Sequence, residues 1–189
     1  GLVGSEMCIR DRVVPDQSVQ FLELRNESID EMGLTPDQYN AYSEFFRKYN
    51  KFRYPSFSYT YLGFNLESPL FKDVRVRQAL AHAIDKNQII EGVLLGMGRA
   101  ATGPFPPTSW AYNHDVMDYE HSPQKAKELL ARCGWVDSDG DGWIENHAGR
   151  KFEFTIMTNQ GNKLRALSAE IIQSQLKAVG VKVNIRIVE

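Results

Sequence analysis

Apolar and polar positions alternate from Tyr59 to Leu66, with Thr60, Leu62, Phe64 and Leu66 on one side and Tyr59, Tyr61, Gly63 and Asn65 on the other. Successive side chains of an extended chain point to opposite faces, so the pattern predicts a strand with one apolar face and one open to a ligand. After Pro69 the period lengthens. Val76, Leu80, Ala83 and Ile84 make one stripe of a helix predicted from Val74 to about Ile84, and Asp73 stands where its carboxylate can accept the free amides of the first turn. Asp85 can cap the next helix, KNQIIEGVLLGMG, which stops at its glycines. Upstream, VVPDQSVQFLEL alternates apolar and polar positions, and Thr35, Pro36 and Asp37 open a helix predicted to run to about Tyr49. Downstream, four prolines or glycines between Gly103 and Trp110 require a loop. Ser122 as N-cap and Pro123 behind it start a helix with Ala126, Leu129 and Leu130 inward, ended by Gly134.

The tail reads as a strand from Phe152 to Thr158, a polar loop from Asn159 to Asn162, a helix from Lys163 to Val179 and a strand from Val181 to Val188. Leu167, Ile171, Ile172, Leu176 and Val179 form the helix's inward face. Such a unit packs with its strands parallel and its crossover right-handed. It is expected to stand as a separate unit whose apolar faces lack partners.

The block from Asn65 to Asp85 resembles the N-lobe core of the family 5 solute-binding proteins of ABC importers, the oligopeptide and dipeptide binding proteins. Asn65, Pro69, Phe71, Asp73, Arg75, Val76, Arg77, Ala79, Leu80, Ala83, Ile84 and Asp85 match that family's hallmark in order. The resemblance continues through GPFPP, SPQKAKELLARCGW, DSDGDGWIE and AEIIQSQLKAVGVKVNIRIVE, so it spans about Val13 to Glu189. It implies an α/β fold of the two-lobed periplasmic binding protein type II kind, present only in part. Residues 13–150 would belong to the N-terminal lobe with hinge-proximal segments, and residues 151–189 would begin the C-terminal lobe. The implied role is capture of oligopeptides or dipeptides outside the cytoplasm and delivery to a permease, by a monomer with no reaction of its own. The same family also binds nickel chelates, opines and oligosaccharides. Its members are exported and often lipid-anchored.

Composition narrows the picture without naming a partner. The chain has 189 residues, 42% hydrophobic and 24% charged, with a net charge of −2 that gives no electrostatic case for nucleic acid or an anionic membrane. No apolar run is long enough to span a bilayer, and no signal segment opens the chain. LVGSEMCIRDR, Leu2 to Arg12, reads as an in-frame translation of a sequencing adapter, so Gly1 to Arg12 is expected to be artefactual and the remainder an internal fragment of a longer chain. With Cys8 in that stretch, Cys133 remains as a lone thiol, a small buried hydrophobe.

Candidate chemistry is sparse. Tyr59, Tyr61 and Asn65 are the ligand candidates of the aromatic region, and Leu62 and Phe64 are expected in the core. Ligands of parallel sheets lie beyond the carboxyl ends of the strands, which points to Asn159, Gln160 and Asn162. In DSDGDGWIE, Asp137, Asp139 and Asp141 occupy alternate positions before Gly142, as in a calcium-binding loop, with Glu145 as the fourth acid. The twelfth position of an EF-hand loop falls on Ala148, so the alternatives are a shorter structural calcium loop or a plain tight hairpin turn. A calcium-stabilised interaction module is the reading of another class that this stretch allows. Arg77 is expected in a buried ion pair and Arg75 in solvent. Gly96, Gly98 and Ala101 fit a dinucleotide pattern, but the preceding run ends a helix where a strand is needed. No phosphate loop, nucleophile elbow or zinc helix is present, and His82, His114, His121 and His147 are scattered.

Overall fold

In the computed structural model, whose described residues are 9–41, 44–54 and 56–189, the alternating segment upstream is helical. Helix α1 (Gln17–Arg25) begins where Asp16 accepts from the Val19 amide, and it buries Phe21 and Leu24, three residues apart on one face. A short helix α2 (Pro36–Ala41) follows, and its start is closed reciprocally. The Gln38 amide donates to Thr35 Oγ1 while Gln38 Oε1 accepts from the Thr35 amide. The helix predicted to continue to Tyr49 instead ends at Ala41, and a 3₁₀ turn spans Phe45–Lys48. Phe45 meets Phe21 edge to face at 5.9 Å. Gly1 to Cys8, part of the suspected adapter segment and including Cys8, lie outside the described residues.

The chain divides into two compact units, Gly1–Arg47 and Lys48–Glu189. The second holds helices α3 (Val74–Ala83), α4 (Lys86–Leu94) and α5 (Pro123–Arg132), then β1 (Glu153–Asn159), α6 (Lys163–Lys177) and β2 (Lys182–Val188). Helices α3, α4 and α5 each start at a capping side chain named by the sequence. Asp73 accepts from the Arg75 amide, Asp85 from Asn87 and Gln88, and Ser122 from Lys125.

β1 and β2 pair in parallel, with Glu153 opposite Lys182 and Asn159 opposite Val188. The crossover helix α6 packs on them and on α4, where the Gln175 side chain holds the Asp85 backbone from both sides: its Oε1 accepts from the Asp85 amide (3.1 Å) and its Nε2 donates to the Asp85 carbonyl (3.4 Å). This unit does not stand apart with bare faces. Phe152, Val181 and Val183 share one core with Phe71, Val76, Leu80, Ala83, Ala126 and Leu130. Phe152, fully buried, has Trp135 at 4.6 Å and Phe71 at 6.4 Å between ring centres. Residues on either side of position 150 are therefore joined by apolar contact, and the compact boundary lies at 47/48.

The segment from Tyr59 to Leu66 forms no strand. Its alternation nevertheless sets its faces, because Leu62 and Phe64 are half-buried against the core and Tyr61, Gly63 and Asn65 are exposed. Leu66, expected inward, is exposed. Arg75 is exposed as expected, while Arg77, expected in a buried ion pair, is half-buried and bonds backbone carbonyls instead. Arg75 forms a bidentate pair with its own cap, Asp73, the shortest contact being 2.7 Å, whereas Arg77 donates to the carbonyls of Phe71 (2.6 Å) and Lys72 (3.0 Å). Both follow from the cap: a side chain two residues past it lies beside its carboxylate, and one four residues past reaches back over the entering chain.

Candidate functional site

Three features bear on function, and each is built by local geometry. The first is the mouth beyond the carboxyl ends of β1 and β2. The Gln160 amide donates to the Val188 carbonyl (2.7 Å), which pins the loop to the end of β2. Asn162 then caps α6 by accepting from the Arg165 amide (3.0 Å). Asn159, Gln160 and Asn162 thus sit together, as the strand order requires. Sequence reading missed Arg165, whose Nη1 donates to Asn159 Oδ1 at 2.9 Å. A signal existed: Lys163 and Arg165 place cations in the first turn of a helix, where the macrodipole disfavours them and no acid offsets them.

The second feature is the aromatic segment. Tyr59 and Tyr61 lie with ring centres 5.4 Å apart and planes inclined by 33°, on the exposed side. Phe52, Tyr54 and Phe57 are exposed as well. Asn65 is occupied locally, its Oδ1 accepting from the Glu67 amide (3.0 Å). Among the described residues no hydrogen bond or ring contact links Tyr59, Tyr61 or Asn65 to the group at Asn159–Asn162. A separate open hollow of about 580 Å³ near the end of α4, lined by Glu91, Arg99, Tyr112 and His114 among others, contains none of these residues.

The third feature is the acidic turn. Val136 and Glu145 exchange backbone hydrogen bonds at 3.0 and 2.9 Å, and Glu145 also bridges to Lys151, so the turn is closed as a hairpin. Asp137 accepts from the amides of Gly140 (2.8 Å) and Gly142 (2.9 Å), Asp139 from that of Asp141 (3.1 Å), and Glu145 Oε1 from that of Ser138 (2.8 Å) and from the Ser138 hydroxyl. Of the four acids, Asp137, Asp139 and Glu145 come together, one oxygen of each within 4.8 Å of the others. Asp141 does not join them, because it pairs with Lys151; that contact lowers the Asp141 carboxyl and raises the Lys151 ammonium.

Asp73, Cys133 and His82 serve the scaffold. The Arg75 guanidinium bonded to Asp73 holds that carboxyl at about 2, from an ordinary 3.8. Burial pushes the half-buried Cys133 thiol up, away from a reactive thiolate. His82 is buried, its Nδ1 donating to the Glu120 carbonyl at 2.6 Å. Among the described residues no helix is long and apolar enough to cross a membrane.

Residues 8–189 match the family model of bacterial extracellular solute-binding proteins, family 5, middle region. The chain belongs to this family. The oligopeptide-binding protein AppA of Bacillus subtilis is 39% identical over 180 residues, 94% of this chain and 33% of that protein. Its structure in complex with a nonapeptide superposes with a TM-score of 0.82, over 94% of this chain and 35% of that one. Haem-binding protein A of Haemophilus influenzae is 41% identical over 125 residues, 66% of this chain and 21% of that protein. The structure of NikZ from Campylobacter jejuni in complex with Ni(L-His) superposes with a TM-score of 0.80 at 31% identity, over 92% of this chain and 34% of that one. This family 5 chain thus spans about a third of the length of AppA, and the matched parts are two-lobed binding proteins represented here in part. Family 5 proteins act outside the cytoplasm as solute binders.

Proposed function

We propose that this chain is part of an extracytoplasmic binding protein that captures oligopeptides and hands them to the permease of an ABC importer. The likeness to AppA supports this reading, because it covers 94% of the chain at 39% identity. In this proposal the exposed rings of Tyr59 and Tyr61 offer flat apolar contact to peptide side chains, and Asn65 adds an amide beside them. Asn159, Gln160 and Asn162 offer amide donors and acceptors to a peptide backbone at the strand ends, and Arg165 supplies positive charge for a carboxylate. Backbone hydrogen bonding carries no side-chain information, which suits a transporter of mixed peptides. Closure of the lobes on peptide is favoured to the extent that the closed state binds it more tightly.

Isothermal titration of the full-length parent protein with a nonapeptide and with a mixed di- to pentapeptide library tests the reading. Haem, Ni(L-His) and a cello-oligosaccharide serve as alternative ligands. Peptide binding near micromolar affinity, about −8 kcal/mol, is the expected result. Heat from one of the other ligands with none from peptide overturns the peptide reading and keeps the fold.

A further inference from the structure

The ligand reading leaves the acidic turn unused, and the turn carries a chemistry of its own. Asp137, Asp139 and Glu145 hold three like charges with oxygens no more than 4.8 Å apart. Backbone amides satisfy much of this, as in any tight turn rich in aspartate. They satisfy only one oxygen of Glu145. That residue is only 5% exposed, its Oε1 is used by Ser138, and its Oε2 is buried with no hydrogen-bond partner. A carboxylate oxygen withdrawn from water loses its hydration and requires a donor or a cation in exchange. Glu145 and Asp139 also line one hollow together with Ser138, Asn146 and Lys151.

We propose that Asp137, Asp139 and Glu145 are the carboxylate ligands of a calcium site at the edge of this hollow, with Glu145 Oε2 as its most buried donor. The three acids offer oxygen only, which selects a hard cation. Calcium sits about 2.4 Å from each oxygen, so two of its ligands can lie up to about 4.8 Å apart, and the three oxygens here all fall within that limit. Magnesium demands a strict octahedron of bonds near 2.1 Å and keeps several waters, whereas calcium accepts the irregular oxygen set that a tight turn offers. The nearby Lys151 is engaged by Asp141, which leaves the three converging carboxylates without that cation as a direct partner. Gly142 at φ +89° makes the sharp turn that brings Asp137 round to Glu145.

The role that follows is structural. The Ile144 amide donates to the Gly180 carbonyl (2.9 Å) and its own carbonyl accepts from the Phe152 amide (2.8 Å), so the turn is tied to the start of both strands. An ion that binds only the closed turn stabilises the folded chain by mass action.

Terbium, a calcium surrogate whose luminescence Trp143 can sensitise from within the loop, provides the direct test on the 189-residue chain. Luminescence that calcium displaces and an equal concentration of magnesium does not, with a rise in Tm of about 5 °C in saturating calcium, is the expected result. Asp139→Asn retains the oxygen that accepts from the Asp141 amide, so the turn persists while calcium affinity falls at least tenfold; Glu145→Gln abolishes binding. The proposal is overturned if the wild-type chain shows neither terbium signal nor calcium-dependent Tm at millimolar calcium, or if Asp139→Asn binds calcium as the wild type does.

Discussion

The segment from Tyr59 to Leu66 and the strand β1 carry the same alternation of apolar and polar positions, but only β1 stands in a ladder. In β1, Phe154 and Ile156 face the core, and every residue from Glu153 to Asn159 has a partner on β2. In the other segment, Leu62 and Phe64 also face the core, yet no described strand lies beside them. The difference teaches that alternation decides which face a side chain occupies, whereas a strand needs a second backbone about 4.8 Å away. α6 brings that second backbone to β1.

Breaking the paired side has the largest expected effect. Phe152 leads into β1 with its ring wholly buried between Trp135 and Phe71. Phe152→Ala should destabilise the chain by about 3–5 kcal/mol, read as a lower urea midpoint at unchanged slope. On the unpaired side, Phe64 is half-buried with its ring 4.9 Å from that of Phe71. Phe64→Ala should cost about 1–2 kcal/mol, while Tyr61→Ala, from the exposed face, should fall within about 0.5 kcal/mol of wild type. A larger loss at Tyr61 than at Phe64 would show that alternation does not set the faces there.

The smallest effect lies in the helix cap that follows this unpaired segment. Arg75 depresses the Asp73 carboxyl to about 2 in the folded chain, against an ordinary 3.8. A depressed carboxyl contributes stability that is fully present above its unfolded value and lost as pH falls through the folded one. The contribution should therefore fade between about pH 4 and pH 2. Asp73 is exposed to solvent, so the slope of urea midpoint against pH should flatten only slightly in Asp73→Asn. An unchanged slope would assign the acid sensitivity to other carboxylates, Glu153 first, which Asn184 and Lys182 hold low across the β1–β2 ladder.

Much of this was legible in the chain, and the exceptions share a cause. The starts of α3, α4 and α5 were readable because a capping oxygen bonds an amide two or three residues away. The mouth at Asn159, Gln160 and Asn162 was readable because a strand, a helix and a strand joined by short loops have few ways to pack. VVPDQSVQFLEL escaped because its alternation masks the spacing of Phe21 and Leu24, which decides for helix once both are buried. The ion pair expected at Arg77 is made by the exposed Arg75 instead, because the reach of each side chain depends on its geometry at the cap.

The sequence by itself determined the starts of α3, α4 and α5, most of the inward faces and the parallel unit at the tail, since these rest on contacts within a few residues or on periods that local geometry imposes. Only the tertiary structure decided that residues 151–189 share a core with α3 and α5, that Asp141 leaves the acidic cluster for Lys151, and that Glu145 Oε2 is shut away from water. Each of these joins groups distant along the chain, and the packing of whole elements, not the period of any one of them, sets that distance.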